Sequence, residues 1–203
     1  MRNLFNQENR LFCILGKMAD GLFLNLLWIL FSLPLVTAGA STAALYDTVR
    51  KTLRQERGYI WSNFLGTFKS NFKKATKLWL LLLGIFAFLY LDFWITFRLL
   101  KQGAAAGVLC YFFLFMMLLE AVWTVYLFAL LVRSESGVWQ TMKNAAVMGI
   151  VHSKWSFFIM VVWVAGALSA FLVPVFSLAV PVSSVYLFDV IIDRIQIQHT
   201  NVK

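Results

Sequence analysis

Five apolar blocks separated by polar segments run along this chain. The blocks cover about residues 18–38, 78–97, 104–132, 155–171 and 173–190. Each has about the length that an α-helix needs to cross the hydrocarbon core of a bilayer, which is roughly 20 residues. Helices are expected because they satisfy their own backbone hydrogen bonds in lipid. The pattern therefore predicts an all-α, polytopic transmembrane helix bundle of about five spans, with residues 1–203 forming a single membrane-embedded domain.

Basic residues between the blocks predict how the bundle is oriented. Segment 41–77 carries eight Lys or Arg residues, and segment 133–154 carries three. Loops rich in Lys and Arg stay on the cytoplasmic side of a membrane. We therefore expect a multi-pass protein of the cell membrane with both segments as basic cytoplasmic loops, an external N-terminus and a cytoplasmic C-terminus.

The first block leaves two topologies open. Arg2, Arg10 and Lys17 precede it, and an external position for these cations conflicts with the charge rule. Pro34 lies near the end of the block and could turn the chain back, so that the segment re-enters as a half-membrane hairpin. A full crossing and a hairpin therefore both remain as interpretations.

Composition supports the membrane class and argues against nucleic acid as a partner. Hydrophobic residues make up 61% of the chain, charged residues make up 13%, and the mean hydropathy is +0.78. A soluble domain of this size needs more polar surface to cover its core. The net charge of +9 could attract phosphate, but the cations lie between apolar blocks, where anionic lipid and membrane orientation account for them. The lipid bilayer is the expected partner.

Segment 41–77 predicts two amphipathic cytoplasmic helices. The first covers Ala43 to Arg54, with Ser41 or Thr42 as its N-cap. The second begins near Trp61 and has an aromatic stripe with four-residue spacing and a basic stripe about 100° round the helix. The aromatic stripe is Phe64, Phe68 and Phe72, and the basic stripe is Lys69, Lys73 and Lys77, with Lys74 next to it.

The striped helix has three possible roles. It could lie in the membrane interface with its rings among the acyl chains and its ammonium groups at the phosphates. It could dock onto a partner protein at the cytoplasmic face. It could also be the cytoplasmic extension of the second span.

A short internal similarity links the two basic loops. Arg54-Gln55-Glu56-Arg57-Gly58 precedes Trp61, and Arg133-Ser134-Glu135-Ser136-Gly137 precedes Trp139. Each R-x-E-x-G segment leads through a helix-compatible stretch to a Lys near a Trp at the next span. A parallel repeat and a coincidence between turn-forming segments are both consistent with this pattern.

Polar residues inside the apolar blocks are candidates for function, because charge at bilayer depth is costly. The set is Glu120 in the middle of the third block, Asp92 late in the second, Asn25 and Asp20 early in the first, and Asp189 at the end of the fifth. Glu120 could line a proton or substrate path or could hold helices together. Arg98 could pair with Asp92.

Catalytic and metal-binding motifs do not occur in the sequence. Cys13 and Cys110 are isolated, and His152 and His199 lie far from any cluster of carboxylates. The motifs of metalloproteases, nucleotide-binding loops and serine hydrolases do not occur either. We therefore predict a protein that is not an enzyme and that uses no cofactor and no metal.

Two stretches resemble a known family. The first contains Asn25-Leu26-Leu27-Trp28, the string SLPLVTAG at 32–39, and Ala43-Ala44-Leu45-Tyr46. The second is FKSNFKKAT at 68–76. Together they resemble the YesL-like family of small bacterial integral membrane proteins, a domain of unknown function, and the length and the arrangement of spans agree along the chain.

The resemblance implies a role but no catalytic residues. Such proteins are typical of Gram-positive bacteria, and many are encoded beside carbohydrate ABC importers and glycan-degrading enzymes. We therefore expect a non-enzymatic accessory or regulatory protein that contacts the permease or ATPase subunits of an oligosaccharide importer. The alternative is a small transporter or channel using Glu120 and Asp92, which would need a homo-oligomer because five spans are few for a carrier.

Overall fold

The computed structural model of the chain describes residues 10–100, 104–134, 137–172 and 180–200, and within these ranges every regular element is a helix. The all-α prediction is confirmed. The helices are α1 (Arg10–Ser32), α2 (Ala38–Thr48), α3 (Ile60–Arg98), α4 (Ala104–Leu131), α5 (Val138–Val151), α6 (Ser153–Leu172) and α7 (Val180–Thr200). A π-helical stretch, Val49–Arg54, continues α2 and is called the π segment.

Helices α1 and α2 form an antiparallel pair around a turn that contains Pro34. The hydroxyl oxygens of Ser32 and Ser41 lie 2.6 Å apart beside the turn, and Lys17 Nζ lies 2.8 Å from Glu56 Oε1 at the other end of the pair. The predicted span 18–38 is therefore not one helix. The chain reverses at 33–37 because proline disfavours a helical residue before it and supplies no N–H donor.

Helix α2 lies in the core, which corrects the prediction of a surface helix after the first block. Nine of its eleven residues are buried, and its N-cap is Thr37 rather than Ser41 or Thr42. Small residues make this position possible. A Cβ at Gly39 would lie 2.3 Å from Trp79 Cβ, so the backbone of α2 touches α3 directly.

Helix α3 joins the predicted striped helix and the second predicted span into one element of 39 residues. At about 1.5 Å per residue it is about 58 Å long, roughly twice the hydrocarbon thickness of a bilayer. Its apolar part begins at Leu78, and the part from Ile60 to Lys77 carries the stripes. The striped helix is thus continuous with the second predicted span, and its position on the cytoplasmic side stays a prediction.

Within the described ranges, two helices are long and apolar enough to cross a membrane, namely α3 and α4 from Ala105 to Leu131. Helix α5 and the first part of α6 meet at a bend of 95° and would count as a third if they form one broken span. The chain therefore fits a membrane protein with two or three candidate spans. The count of five stays a prediction, and the last predicted span lies partly in 173–179, outside the described residues.

Two parts of the molecule differ in their surfaces. The head consists of α1, α2, the π segment, residues 60–78 of α3, and α7, and it buries most of the core. The apolar hairpin consists of the described residues of 83–123, from α3 and α4. It exposes large apolar side chains on many sides, as lipid-facing helices do. Examples are Phe88, Leu91, Ile95, Val108, Tyr111 and Phe115.

Candidate functional site

Two arginines and two aspartates form a closed ring of ion pairs where the π segment, the end of α4 and α7 meet. Arg54 Nη1 contacts Oδ2 of Asp189 and lies 2.6 Å from Oδ2 of Asp193. Arg133 Nη2 contacts Oδ1 of Asp189, and its Nη1 lies 2.7 Å from Oδ1 of Asp193. Each carboxylate oxygen therefore faces one guanidinium nitrogen, and each arginine bridges both aspartates.

Local structure explains how these four residues meet. Asp189 and Asp193 are four residues apart on α7 and so share one helical face. Arg54 ends the π segment, and Arg133 follows α4 by two residues. Exposure of the side chains rises from 2% for Asp189 and 5% for Arg133 to 20% for Arg54 and 34% for Asp193. The ring thus has a buried pair and an outer pair.

The charges of the ring are balanced, which limits its chemistry. Both aspartates are held by two cations each, so neither offers a free carboxylate for proton transfer. In the parts of the chain that the structure describes, no group of three His, Cys, Asp or Glu residues is placed to hold a metal ion. The ring therefore fastens α7 to the core, and it fixes the relative positions of three elements.

Tyr46 of α2 lies within the electrostatic reach of the ring. Burial raises the pKa of this phenol far above its usual value, and the Asp189 carboxylate raises it further, while Arg133 acts in the opposite direction. Tyr46 therefore stays protonated at any physiological pH and serves as a neutral part of the core.

The R-x-E-x-G similarity has a structural counterpart in this ring. The first residues of the two segments are Arg54 and Arg133. Both form ion pairs with Asp189 and Asp193. The glutamate of the first segment, Glu56, pairs with Lys17, whereas Glu135 of the second lies outside the described residues. Sequence reasoning noted Asp189 only as the end of a span and missed Asp193, although their four-residue spacing was a usable signal.

Glu120 lies in α4 as a buried residue with an unsatisfied carboxylate oxygen. Its side chain is 8% exposed, and its Oε2 has no hydrogen-bond partner in the described chain. The indole nitrogen of Trp123, three residues on, is buried and equally lacks an acceptor there. Buried polar atoms are usually paired, so these two atoms stand out within the apolar hairpin.

Asp92 is half-buried in α3 and does not meet the residues predicted to join it. The Arg98 guanidinium lies over the Trp94 ring, 4.3 Å from its centroid, instead of reaching back to the Asp92 carboxylate. Among the described residues, no ion pair or hydrogen bond connects the side chains of Asp92 and Glu120. The structure therefore does not assemble these two acids into one site.

Asn25 and Asp20 have different surroundings on α1. Asn25 is buried, and its Oδ1 accepts a hydrogen bond of 3.1 Å from the backbone N–H of Val182. Asn25 therefore connects α1 to α7, while Asp20 is exposed.

The aromatic and basic stripes of α3 face different surroundings. Phe64 is fully buried, and the ring of Phe31 from α1 packs edge-on against Phe64 and Phe68, with centroid distances of 5.5 and 5.1 Å. Phe72 continues this stack. Phe64 therefore packs inside the protein, whereas Phe68 and Phe72 are half-buried, and a contact of these two rings with lipid or a partner stays a prediction. The lysines at 69, 73, 74 and 77 are all exposed.

Comparison with known families gives one match. Residues 22–93 match the model of a family described as a protein of unknown function, DUF624. This stretch, 72 of the 203 residues, is similar to that family. The resemblance to YesL-like proteins is consistent with it and is confirmed. The DUF624 segment runs from within α1 into α3 and includes Arg54, whereas Arg133 and both aspartates of the ring lie beyond it.

The other two comparisons are negative. No curated protein and no solved structure gives a significant match to the chain.

Proposed function

We propose that the chain is a non-enzymatic accessory protein of the cell membrane that docks a partner on its head. The partner class we propose, from the family resemblance, is the permease or ATPase subunit of a carbohydrate ABC importer. The observation that supports docking is the loop at residues 55–61, called the head loop, which exposes aromatic side chains from a fixed backbone.

Several contacts fix the head loop. Glu56 and Gly58 adopt positive φ angles of 54° and 73°, and the Glu56 side chain is tied to Lys17. Asn63 Nδ2 donates hydrogen bonds to Thr52 Oγ1 and to the backbone oxygen of Arg57, both at 2.9 Å. A loop held in one conformation loses little entropy on binding.

The exposed side chains of the head loop are those that dominate protein interfaces. Tyr59 is 84% exposed and Trp61 is 52% exposed, and Arg57 lies beside them. Tyr, Trp and Arg are the residues most enriched among binding hot spots. Ile60 lies about 27 Å along α3 from the start of the apolar part at Leu78, so the loop is held away from the lipid.

Crosslinking followed by purification in mild detergent tests this docking. We expect importer subunits to copurify with the wild-type chain and their recovery to fall at least about tenfold in the double variant Tyr59→Ala/Trp61→Ala. The matched control is Trp139→Ala, which removes an indole that is 67% exposed elsewhere. Equal recovery with the double variant, or no importer subunit with the wild type, would contradict the proposal.

We propose, as the topology of this protein, that α1 and α2 lie on the cytoplasmic side beside the first part of α3 and that only the turn between them, at residues 33–37, reaches the membrane. The Lys17–Glu56 ion pair supports this arrangement, because it joins the start of α1 to the head loop. The N-terminal residues then share the cytoplasmic side with the head loop, the basic segments and the C-terminus. This replaces an external N-terminus and agrees with the charge rule for Arg2, Arg10 and Lys17.

Cysteine labelling distinguishes the hairpin from a full crossing. In a chain carrying Cys13→Ser and Cys110→Ala, single cysteines at Gly16, Arg57 and Leu100 are labelled with an impermeant maleimide in cells and in inverted vesicles. We expect Gly16→Cys and Arg57→Cys to react only in inverted vesicles, and Leu100→Cys only in cells. Labelling of Gly16→Cys and Arg57→Cys from opposite sides would restore the full crossing.

A second candidate function, a small homo-oligomeric transporter or channel, draws on Glu120. The observation that favours it is the buried carboxylate oxygen of Glu120, which has no hydrogen-bond partner among the described residues. Solute or proton flux in proteoliposomes should then fall strongly in Glu120→Gln, while Asp20→Asn, which changes an exposed acid, serves as the control. Flux that is equal in Glu120→Gln and the wild type would remove Glu120 from any path.

A further inference from the structure

We propose that the outer side of α5 contacts the acyl chains of the membrane leaflet next to the head, so that α5 and the first part of α6 form a broken membrane element. The contact surface, called the α5 face, consists of Trp139, Val147, Ile150 and Val151. The charge pattern predicted segment 133–154 as a basic loop in the cytoplasm, whereas this contact places the second half of α5 in lipid. The contact depends neither on docking of a partner at the head loop nor on which side of the membrane is cytoplasmic.

The α5 face is one apolar side of the helix. At about 100° per residue, its four side chains fall within an arc of about 120°. They are 67%, 59%, 77% and 57% exposed, in chain order. The opposite side includes Thr141 and Ala145, which are buried, and a Cβ at Gly149 would lie 3.7 Å from the Tyr126 ring of α4. One side of α5 thus packs on protein, while its apolar other side has no cover among the described residues.

Polarity changes along α5 in the way that a membrane boundary requires. The first half exposes Gln140, Lys143 and Asn144, and the Lys143 ammonium lies 5.3 Å from the centroid of the Trp139 ring. From residue 145 to residue 151 the sequence is AAVMGIV, which has no polar side chain. An indole beside a cation suits the headgroup level, and an apolar half-helix suits the acyl chains below it.

Packing places the end of α5 at the level where the apolar part of α3 begins. The rings of Trp79 in α3 and Phe128 in α4 lie 6.4 Å apart between centroids, and Leu78, next to Trp79, is the first residue of that apolar part. Tyr126, which faces Gly149 of α5, is two residues or about 3 Å further from the head along α4. The second half of the α5 face therefore lies at the membrane boundary, within reach of acyl chains.

Protein groups satisfy backbone atoms at the bend between α5 and α6. The Ser156 hydroxyl donates a hydrogen bond of 2.7 Å to the backbone oxygen of Gly149, and the Tyr126 hydroxyl lies 3.3 Å from it. The backbone oxygen of His152 accepts hydrogen bonds of 2.9 and 3.1 Å from the N–H groups of Trp155 and Ser156. Lipid supplies no hydrogen bonds, so a break in a helix is tolerated at the membrane only where protein groups replace the helical ones. The bend meets that condition at these atoms.

The sequence that follows the bend favours lipid over water or a protein partner as the cover. Together, α5 and the first part of α6, Ser153–Val162, are apolar enough for a span, although they meet at 95°. Phe157 and Phe158, just after the bend, are also exposed. An apolar face that lies at the boundary and leads into such a segment suits acyl chains, which adapt to both sides of the bend. Lys154 is exposed at the bend and reaches the headgroups with its long stem, so the bend lies at a shallow depth.

Spin labels in liposomes show what covers the α5 face. The full-length chain carries Cys13→Ser and Cys110→Ala, and a nitroxide is attached to Val147→Cys or Ile150→Cys, which replace exposed side chains. Its collision rates are measured with oxygen, which concentrates in lipid, and with a nickel chelate, which stays in water. We expect the oxygen-to-nickel ratio at both positions to be at least about fivefold higher than at Arg57→Cys, which serves as the control in water. Phe88→Cys in the apolar hairpin is the control in lipid, and Gln140→Cys in the first half of α5 should give a value between the two controls.

Two results would overturn the lipid contact. Nickel collisions at Ile150→Cys and Val147→Cys that are as frequent as at Arg57→Cys would place the α5 face in water. Protection of both labels from oxygen and from nickel would mean that protein covers the face. Spin–spin broadening that disappears on dilution with unlabelled chain would then identify that protein as a second copy. Because the liposomes contain this chain alone, failure of the head-loop variants to lose importer subunits leaves the result unaffected.

Discussion

The head and the apolar hairpin differ in whether their buried polar side chains have hydrogen-bond or ion-pair partners. In the head, Asp189 is almost fully buried and is paired with Arg54 and Arg133, and the Asn25 amide oxygen accepts a backbone hydrogen bond. In the apolar hairpin, Glu120 and Trp123 each keep a buried polar atom without a partner among the described residues. Polar side chains of the head therefore connect its helices, whereas the buried polar atoms of Glu120 and Trp123 make no such contact among the described residues.

Aromatic residues show the same contrast along a single helix. Phe64 lies in the head part of α3 and is fully buried, whereas Phe88 lies in the hairpin part and is 65% exposed. Both rings belong to one continuous helix, so sequence hydrophobicity alone does not distinguish them. The neighbours do, because α1 and α2 cover the first half of α3 and leave much of the second half to lipid.

The largest effect is expected from opening the ring of ion pairs. Arg133→Ala leaves the Asp189 carboxylate buried with one cation fewer, and breaking such a pair costs about 3–5 kcal/mol of the free energy of unfolding. Unfolding by sodium dodecyl sulfate in mixed micelles, followed by circular dichroism, measures it. The control Arg57→Ala removes an exposed guanidinium and should change the free energy by less than about 0.5 kcal/mol.

A paired substitution shows whether the charges or the packing stabilise the ring. Arg133→Met/Asp189→Leu removes both buried charges and should recover much of the loss, because no uncompensated charge remains. If the double variant is as unstable as Arg133→Ala, the charges of the ring are not what holds α7.

Truncation of the two phenylalanines compares the head with the hairpin directly. Phe64→Ala opens a cavity in a packed core and should lower the free energy of unfolding by about 3–5 kcal/mol. Phe88→Ala removes a ring that faces lipid, and should lower it by much less. The same unfolding assay measures both, and equal losses would mean that residues around Phe88 form a second packed core.

Removal of the Glu120 carboxyl group should have a smaller effect, and it should raise stability. Glu120→Leu removes a buried carboxyl oxygen that has no partner among the described residues, and leaving such an oxygen unpaired costs roughly 1–3 kcal/mol. We therefore expect a gain of about 1 kcal/mol in the free energy of unfolding. A loss would show that Glu120 holds helices together, which was one of the two interpretations of this residue.

The smallest effect is expected at the Lys17–Glu56 pair on the surface. The hydrogen bond and positive charge of Lys17 hold the pKa of Glu56 below its ordinary value. A carboxyl whose pKa is lowered by folding stabilises the fold above its unfolded pKa and loses that contribution as the pH falls through the folded pKa. The small difference in stability between wild type and Glu56→Gln should be present at pH 7 and disappear in acid below the usual glutamate range. A difference that persists there would contradict the ion pair.

The periodicity of the sequence predicted the regular helices of the fold. The helix from Trp61 with its phenylalanines and lysines on separate faces follows from the 3.6-residue period alone. The all-α class follows from the apolar blocks in the same way. Which face meets protein is not encoded in that period, and so the burial of Phe64 by Phe31 was not foreseen.

Long-range partners could not be predicted from local patterns. The interior position of α2 was missed because its small residues, such as Gly39 and Ala43, give little contrast between faces. The ring was missed because Arg54 and Asp189 are 135 residues apart, and charges near the ends of helices usually lie in solvent. The R-x-E-x-G similarity marked both arginines but did not indicate what they bind.

Because α3 is one continuous helix, its apolar part and the part that carries the head loop move together. No break separates its lipid-facing part from the part that carries the head loop. A tilt of about 10° in the membrane part, pivoting near Lys77, moves Ile60 by about 5 Å, because about 27 Å of helix extends beyond that level. If a change in bilayer thickness alters the tilt of α3, Tyr59 and Trp61 are therefore displaced by a similar distance.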